Sequence, residues 1–369
     1  METKSSIDEI ATDLLGFSKN HYSQNYDEMN KNKGKNNRIC RIDGPNNSSY
    51  AVKSYGLENN SHLARLENEF RTLNFLYSSG LSNVPEPVLS EKKYNCSIYK
   101  WIEGKPISKI GLKEINQAVK FISKLNDLKN YKEAKKFELA KEACLSGDAI
   151  VNQIMRRYYA LMDQAAFHSE LSEFLRNKIG PILPIFINKA KENYLLENMS
   201  FSKNLEKKYQ TLSPSDFGFH NSLRKQNGEI HFVDFEYFGW DDPVKLVCDF
   251  ILHPGMKSIK SDKSVMNYFA GKMEKIFVED LHYKSRVDFL VPLYALRWIL
   301  IILNEYIPQK WEKRKFAGEI RDRKDVLENQ LKKAYLYYEF LLKLLKSDII
   351  KHDLNSFLIL FCNKSLTNK

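Results

Sequence analysis

The 369-residue sequence predicts an α+β protein, with a small β-rich N-terminal part and a larger, mostly helical C-terminal part. Three patterns predict it. Strand-like runs flank a cluster of turn formers near the N-terminus, helical periodicity fills most of the chain after Gly104, and a single hairpin signal, Asn227-Gly228, interrupts the helices.

Residues 5–16 read as a short amphipathic helix, and a polar stretch follows. Arg38 to Ile42 and Ser49 to Tyr55 read as strands around the turn formers Asp43-Gly44-Pro45-Asn46-Asn47-Ser48, a predicted β-hairpin. Leu63, Leu66, Phe70, Leu73 and Leu76 recur at helical spacing, so 61–78 reads as a helix stopped by Gly80. Val84-Pro85-Glu86-Pro87 is an extended connection, and Cys96 to Ile102 reads as a strand. Helical periodicity then covers 113–126, 133–168, 170–195, 265–280 and most of 286–360. Asn221 to Gln226 and Glu229 to Tyr237 read as strands about a type I′ turn at Asn227-Gly228. Asp242-Pro243 reads as the N-cap and first residue of a helix from Val244 to Leu252.

Bulk composition narrows the class. Hydrophobic residues make up 43% and charged residues 28%, as in globular rather than disordered chains. Lys and Arg exceed Asp and Glu by 57 to 46, but the basic residues are spread among acids. A Lys-rich solvated surface accounts for that, with no nucleic-acid partner expected. Cys40, Cys96, Cys144, Cys248 and Cys362 are scattered and odd in number, without a CxxC pair. That argues against a disulfide framework or a zinc site. The N-terminus lacks the apolar run of a secretory signal, and the most apolar run, Phe289 to Ile307, carries Pro292, Arg297, Asn304 and Glu305. A buried core helix and a cytoplasmic protein without a membrane partner are expected.

The chemistry concentrates between residues 213 and 236. Asp216 is followed five residues later by Asn221, and Asp234 ends a hydrophobic strand at Val233-Asp234-Phe235-Glu236. Phosphoryl transfer needs these groups: one carboxylate to orient the attacking hydroxyl, and an amide oxygen and a second carboxylate to hold Mg²⁺ on nucleotide phosphates. A hairpin between Asn221 and Asp234 returns the chain to its start and so places the two loops together. The bland reading is a polar turn followed by a hairpin.

The segment Ser213-Pro214-Ser215-Asp216-Phe217-Gly218-Phe219-His220-Asn221 and the hairpin ending in Asp234-Phe235-Glu236 resemble the aminoglycoside phosphotransferase and choline kinase superfamily, relatives of the protein kinases. The resemblance implies a bilobal protein-kinase-like fold, with an N-lobe over 1–103 and a C-lobe over 104–369. It implies Asp216 as the catalytic residue, Asn221 and Asp234 as metal ligands, and Asp249 as an acid bracing the catalytic loop. In Tyr50-Ala51-Val52-Lys53, Lys53 matches the lysine placed on nucleotide phosphates, and Glu69 its helical partner, with Glu67 as the nearby alternative. Gly34 and Asn37 fall in a stretch similar to the nucleotide loop. Ser97 to Gly104 resembles the inter-lobe hinge, whose backbone groups, those of Tyr99 and Ile102 included, would hold adenine. The implied cofactors are ATP (or GTP) and Mg²⁺, and the implied partner is a small molecule bearing a hydroxyl, of sugar, amino sugar, aminoglycoside or amino-alcohol type.

One departure stands out: Pro214 and Ser215 occupy the places of the family's His and Gly. A catalytically inert nucleotide binder is therefore the alternative reading. A protein kinase fits less well, because the chain shows no Ala-Pro-Glu after a long activation segment. Glu236 is open between a metal or water contact and plain solvation, and Asp241 reads as a loop charge. Arg297, Trp298, Asn304 and Glu305 are candidates for the acceptor pocket.

Overall fold

The computed structural model describes residues 10–16, 23–25, 37–55, 61–256, 263–316 and 318–346. The chain forms two compact units. The first comprises Met1–Pro106, Asn221–Phe238 and Glu312–Ile320, and the second the remainder.

In the first unit, β1 (Ser23–Asn25), β2 (Asn37–Asp43), β3 (Ser49–Tyr55), β4 (Pro87–Glu91) and β5 (Cys96–Lys100) form an antiparallel sheet in the order β1-β2-β3-β5-β4. The predicted hairpin is β2 and β3, in register from Asn37 opposite Tyr55 to Asp43 opposite Ser49. Its turn places Asn46 and Asn47 at φ 56° and 57°, a region asparagine enters more readily than most residues. Ile42, Val52, Cys96 and Ile98 bury one sheet face together with Ile10. The predicted strand after Cys96 ends at Lys100, two residues early.

Helix α1 spans Ser61–Ser78, as its periodicity predicts. Gly80 ends it at φ +79°, its N–H meeting the Tyr77 carbonyl while the Leu81 N–H meets that of Leu76. This paired bonding satisfies the last helical carbonyls and needs a residue that accepts positive φ. Strand β6 (Lys105–Pro106) joins a small sheet with β8 (Ser222–Arg224) and β9 (Ile230–Phe232), described below.

The second unit holds α2 (Leu112–Leu128), α3 (Gly147–Ala165), α4 (Ser169–Phe174) and α5 (Gly180–Leu196). Strands β7 (Thr211–Ser213) and β10 (Gly239–Asp241) pair antiparallel, and α6 (Pro243–Leu252), α7 (Lys263–Ile276) and α8 (Tyr283–Ile302) follow. After α9 (Pro308–Phe316) comes α10 (Arg323–Lys346). Helix α8 packs against α3, α5, α6 and α10. The stretch through Tyr306 is long and apolar enough to cross a membrane, yet 83% of its most apolar window is buried within the protein, as a core helix requires.

The expected helix over 133–168 is not continuous. After a 3₁₀ turn at Glu133–Lys136 the chain runs extended beside β10, where Trp240 N–H donates to Glu138 O and Ala140 N–H to Trp240 O, both at 2.9 Å. These strand-like bonds override the local helical pattern. The helix restarts where Ser146 Oγ accepts the Ala149 N–H at 3.2 Å, an N-cap.

Candidate functional site

Alternation along β3 sends Val52 into the sheet core and turns Lys53 and Tyr55 to the opposite face. The 3.6-residue period of α1 places Glu69 in line with buried Leu66, Leu73 and Leu76. Lys53 Nζ donates to Glu69 Oε2 at 2.6 Å and to Asp234 Oδ1 at 2.7 Å, and lies 3.8 Å from Glu236. Burial works against the charge on Lys53, but Asp234, Glu69 and Glu236 outweigh it and hold its pKa well above the ordinary lysine value. Glu69 is itself fixed, by the Tyr55 hydroxyl at 2.5 Å and by the Phe235 N–H at 3.2 Å. Glu67 pairs instead with Lys92 at the surface.

Asp234 reaches this cluster because the hairpin of β8 and β9 returns the chain. Val233 N–H donates to Asn221 O at 2.9 Å at the open end of the hairpin. The tip is not the expected type I′ turn. The strands are three residues each, the Gly228 N–H bonds Lys225 O, the Lys225 N–H bonds Glu229 O, and only Gly228 of the tip pair has positive φ, at +86°. This is a type I turn closed by a left-handed glycine bulge, the next commonest hairpin loop. Asp234 adopts φ +70°, a strained conformation for a non-glycine residue.

Glu236 is not solvated, and its carboxylate lies close enough to those of Glu69 and Asp234 to share an ion. It is fully buried, accepts from Asn37 Nδ2 at 2.7 Å and pairs with Arg65 at 3.3 Å. Arg65 also bonds the Asn37 oxygen at 3.1 Å. Asn37 therefore holds an internal acid as the first residue of β2, with its side chain buried. Asn68 completes the clamp by donating to the carbonyls of Glu236 and Phe238. Tyr99 is buried on β5, its hydroxyl 3.2 Å from that of Tyr55, and Ile102 lies in the irregular stretch after β5. Gly34 and Cys362 lie outside the described residues.

In the second unit, β7 leads into the loop that carries Asp216, while β10 leads into α6. Asp242 caps α6 through the Val244 N–H at 2.8 Å and pairs with Arg286. Asp241 is no loose loop charge: it is fully buried, and Lys245, also fully buried, bridges it at 3.0 Å to Asp249 at 3.2 Å. Lys245 also sits 3.4 Å from Ser215 Oγ. Burial disfavours its charge, but Asp241 and Asp249 push its pKa up to about 12. Ser215 takes φ +68°, and its hydroxyl donates to Lys141 O at 2.8 Å. Phe217 stacks between Phe121 and Phe250, anchoring the loop from below.

Asp216 is 44% exposed and lies 3.0 Å from His220 Nε2 and 3.9 Å from His253 Nε2. The two imidazoles stack at 3.5 Å, and Trp298 meets His253 edge-on. The three side chains lie close enough to share an ion. However, His253 Nδ1 accepts the Gly255 N–H and His220 Nδ1 is buried without a partner, so neither ring has the acceptor that orients a metal-bound histidine. The arrangement is a hydrogen-bonded carboxylate beside stacked rings. Arg297 is held by Gln153 at 2.9 Å and Asp249 at 2.7 Å, Trp298 Nε1 donates to Asp249, and Glu305 accepts from Gln330 at 3.0 Å. These are interior contacts of the helical core.

Lys245 and Arg65 escaped the motif reading. Lys245 left a signal, because it stands four residues from Asp241 and four from Asp249 in an otherwise apolar helix. Arg65 left none, since its partner Glu236 is 171 residues away.

No family model matches the chain, and no curated protein matches it significantly in sequence. Solved structures do. An ethanolamine kinase from Plasmodium vivax matches with a TM-score of 0.58 at 13% identity, over 90% of this chain and 87% of that one. A spectinomycin phosphotransferase, solved with ADP and spectinomycin, matches with a TM-score of 0.54 at 11% identity, over 90% and 98%. A choline kinase from Cryptosporidium parvum matches with a TM-score of 0.52 at 13% identity, over 96% and 99%. The chain shares the fold of these small-molecule kinases and phosphotransferases.

Proposed function

We propose that this protein transfers the γ-phosphate of ATP to a hydroxyl of a small molecule. The observation that carries the reading is Lys53 held between Glu69 and Asp234. A lysine fixed on a helical glutamate, beside a carboxylate at the end of a hairpin, suits the β- and γ-phosphates and their cation. Asn221 and Asp234 supply hard oxygen donors, which fit Mg²⁺. The residues around Lys53 support the fit: Glu69, Asp234 and Glu236 carry three negative charges against the two positive charges of Lys53 and Arg65. Mg²⁺ bound by Asn221 and Asp234 would supply neutralisation of phosphate charge. Lys53 orients the phosphates, and Asp216 accepts a hydrogen bond from the acceptor hydroxyl and takes its proton as the new P–O bond forms and the bond from the γ-phosphorus to the bridging oxygen breaks, releasing ADP.

Pro214 removes the family's histidine, but the loop is not left unsupported. Ser215 ties to Lys141, and Lys245 links Ser215 to Asp241 and Asp249. That support favours an active enzyme over an inert nucleotide binder.

The test compares Asp216→Asn with Asp234→Asn. Asp216→Asn should abolish turnover while leaving Mg·ATP binding intact. Asp234→Asn removes a charge from the cation site and should weaken both. Thermal shift reads the binding, since a ligand at about 100 times its Kd stabilises by roughly 2.7 kcal/mol. A wild type with a Mg-dependent ATP shift but no acceptor-dependent ADP release over a broad acceptor panel would point to the inert binder. A wild type with no such shift for ATP or GTP would sink the reading.

A further inference from the structure

We propose that the acceptor carries an acid group, and that Arg157, with Arg156 beside it and the charge of buried Arg297 acting on it, binds that anion; the proposal rests on the phosphotransferase reading above. The site lies wholly in the second unit. Helix α3 presents Gln153, Arg156 and Arg157 to the segment that holds Lys141 and Glu142. Gln153 Nε2 donates to Glu142 O at 2.8 Å, and Arg156 and Arg157 both meet Glu142 Oε2, at 2.6 and 3.3 Å. Glu142 sits at φ +60°, so its backbone is strained where its carboxylate meets these arginines.

One carboxylate does not satisfy this many cations. Lys141, Arg156, Arg157 and Arg297 all act electrostatically on Glu142. Among the residues of this cluster, Lys141, Arg156, Arg157, Lys245 and Arg297 carry five positive charges, while Glu142, Asp241 and Asp249 carry three negative ones. The deficit falls on Arg157. Its side chain is 17% exposed, and its Nε is buried with no hydrogen-bond partner. Burial and the neighbouring Arg297 both oppose its charge and lower its pKa despite Glu142. A guanidinium with an unpartnered Nε–H, one Nη shared with Glu142 and a second guanidinium acting on it suits an anion. A stabilising role for the Glu142 pairs explains less, because the Arg156 pair is largely exposed and such pairs contribute little. It also leaves Arg157 Nε unexplained.

The cluster is close to Asp216 by two routes within the unit. Lys141 O accepts the hydroxyl of Ser215, the residue before Asp216. Arg297 precedes Trp298, whose ring meets His253, 3.9 Å from Asp216. These links tie the cluster to the loop that carries Asp216, and Glu142 occupies the place of the ligand's acid.

Sulfate serves as the probe, titrated at constant ionic strength into protein saturated with Mg²⁺ and a non-hydrolysable ATP analogue. Saturable one-to-one binding is expected. Arg157→Gln should weaken it by about tenfold, the size of one lost charge-assisted hydrogen bond. Glu142→Gln removes the resident carboxylate and should tighten it, an effect opposite to that of a lost structural ion pair. Nucleotide affinity should be unchanged in both variants. In turnover, hydroxy acids and sugar phosphates should outperform neutral sugars and amino alcohols, and the better of the two acid classes names the anion. Absent sulfate binding, equal binding by Arg157→Gln, weaker binding by Glu142→Gln, or a preference for amino alcohols would each overturn the proposal. None of these outcomes touches the phosphotransferase reading, which fails only if Mg·ATP does not bind or no phosphate is transferred. Should Arg157→Gln not fold, the sign of the Glu142→Gln effect still decides.

Discussion

Lys245 shows how a single buried charge can hold a loop. Pro214 cannot supply a side-chain bond to the loop, and the buried ammonium of Lys245 ties Ser215 to two buried acids from below. Lys245→Met should cost about 3–5 kcal/mol in a urea melt, because two carboxylates lose their buried counter-charge. The sign with pH follows from its raised pKa. Lysine titrates near 10.4 unfolded, while Lys245 titrates near 12 folded. Its contribution is therefore complete below about pH 10.4 and is lost as pH rises through about 12. The deficit of Lys245→Met should hold constant from pH 6 to 10; a deficit under about 1 kcal/mol would mean that other groups hold Asp241 and Asp249. At this scale the sequence was legible where chemistry is written as a local motif. Asp216, Asn221 and Asp234 were named from their spacing, Lys53 and Glu69 from the resemblance to a kinase family, and Lys53, Glu69 and Asp234 do meet. Side chains such as Arg65, Asn37 and Glu236 acquire their roles only through contacts between distant segments.

Among the elements, the hairpin of β8 and β9 places Asp234, and its tip depends on one glycine. Gly228 at φ +86° should make Gly228→Ala destabilising by about 1–2 kcal/mol, with Gly228→Asn milder. Thermal melts order the three proteins, and an alanine variant as stable as wild type would show that the turn can relax. Gly239 is constrained by space instead: a Cβ there would lie 2.5 Å from the Ala140 nitrogen and the Glu138 carbonyl oxygen. That close approach is the same strand-like pairing that breaks the expected helix over 133–168. Elements with strong local signals, β2, β3, α1 and α6, fell where periodicity and capping placed them. The pair β7 and β10 carried no period to read, being three residues each and buried on every position.

For the whole molecule, the division into two units makes a prediction that thiols can read. Lys53, Glu69, Asn221 and Asp234 all belong to the first unit, as do Cys40 and Cys96, while Cys144 and Cys248 belong to the second. These four cysteines carry free thiols. Burial pushes the thiols of Cys96 and Cys144 up to about 12, so at pH 8 neither offers a reactive thiolate until its surroundings open. Labelling by iodoacetamide in mild urea, read peptide by peptide in a mass spectrometer, then reports the opening of each unit separately. Mg·ATP at about 100 times its Kd should reduce the open population of whatever binds it by about 100-fold. With the proposed phosphate-binding groups in the first unit, Cys96 should slow by that factor and Cys144 by much less. Equal slowing would instead show that the two units open in one cooperative step, and protection of Cys144 alone would place the nucleotide groups in the wrong unit.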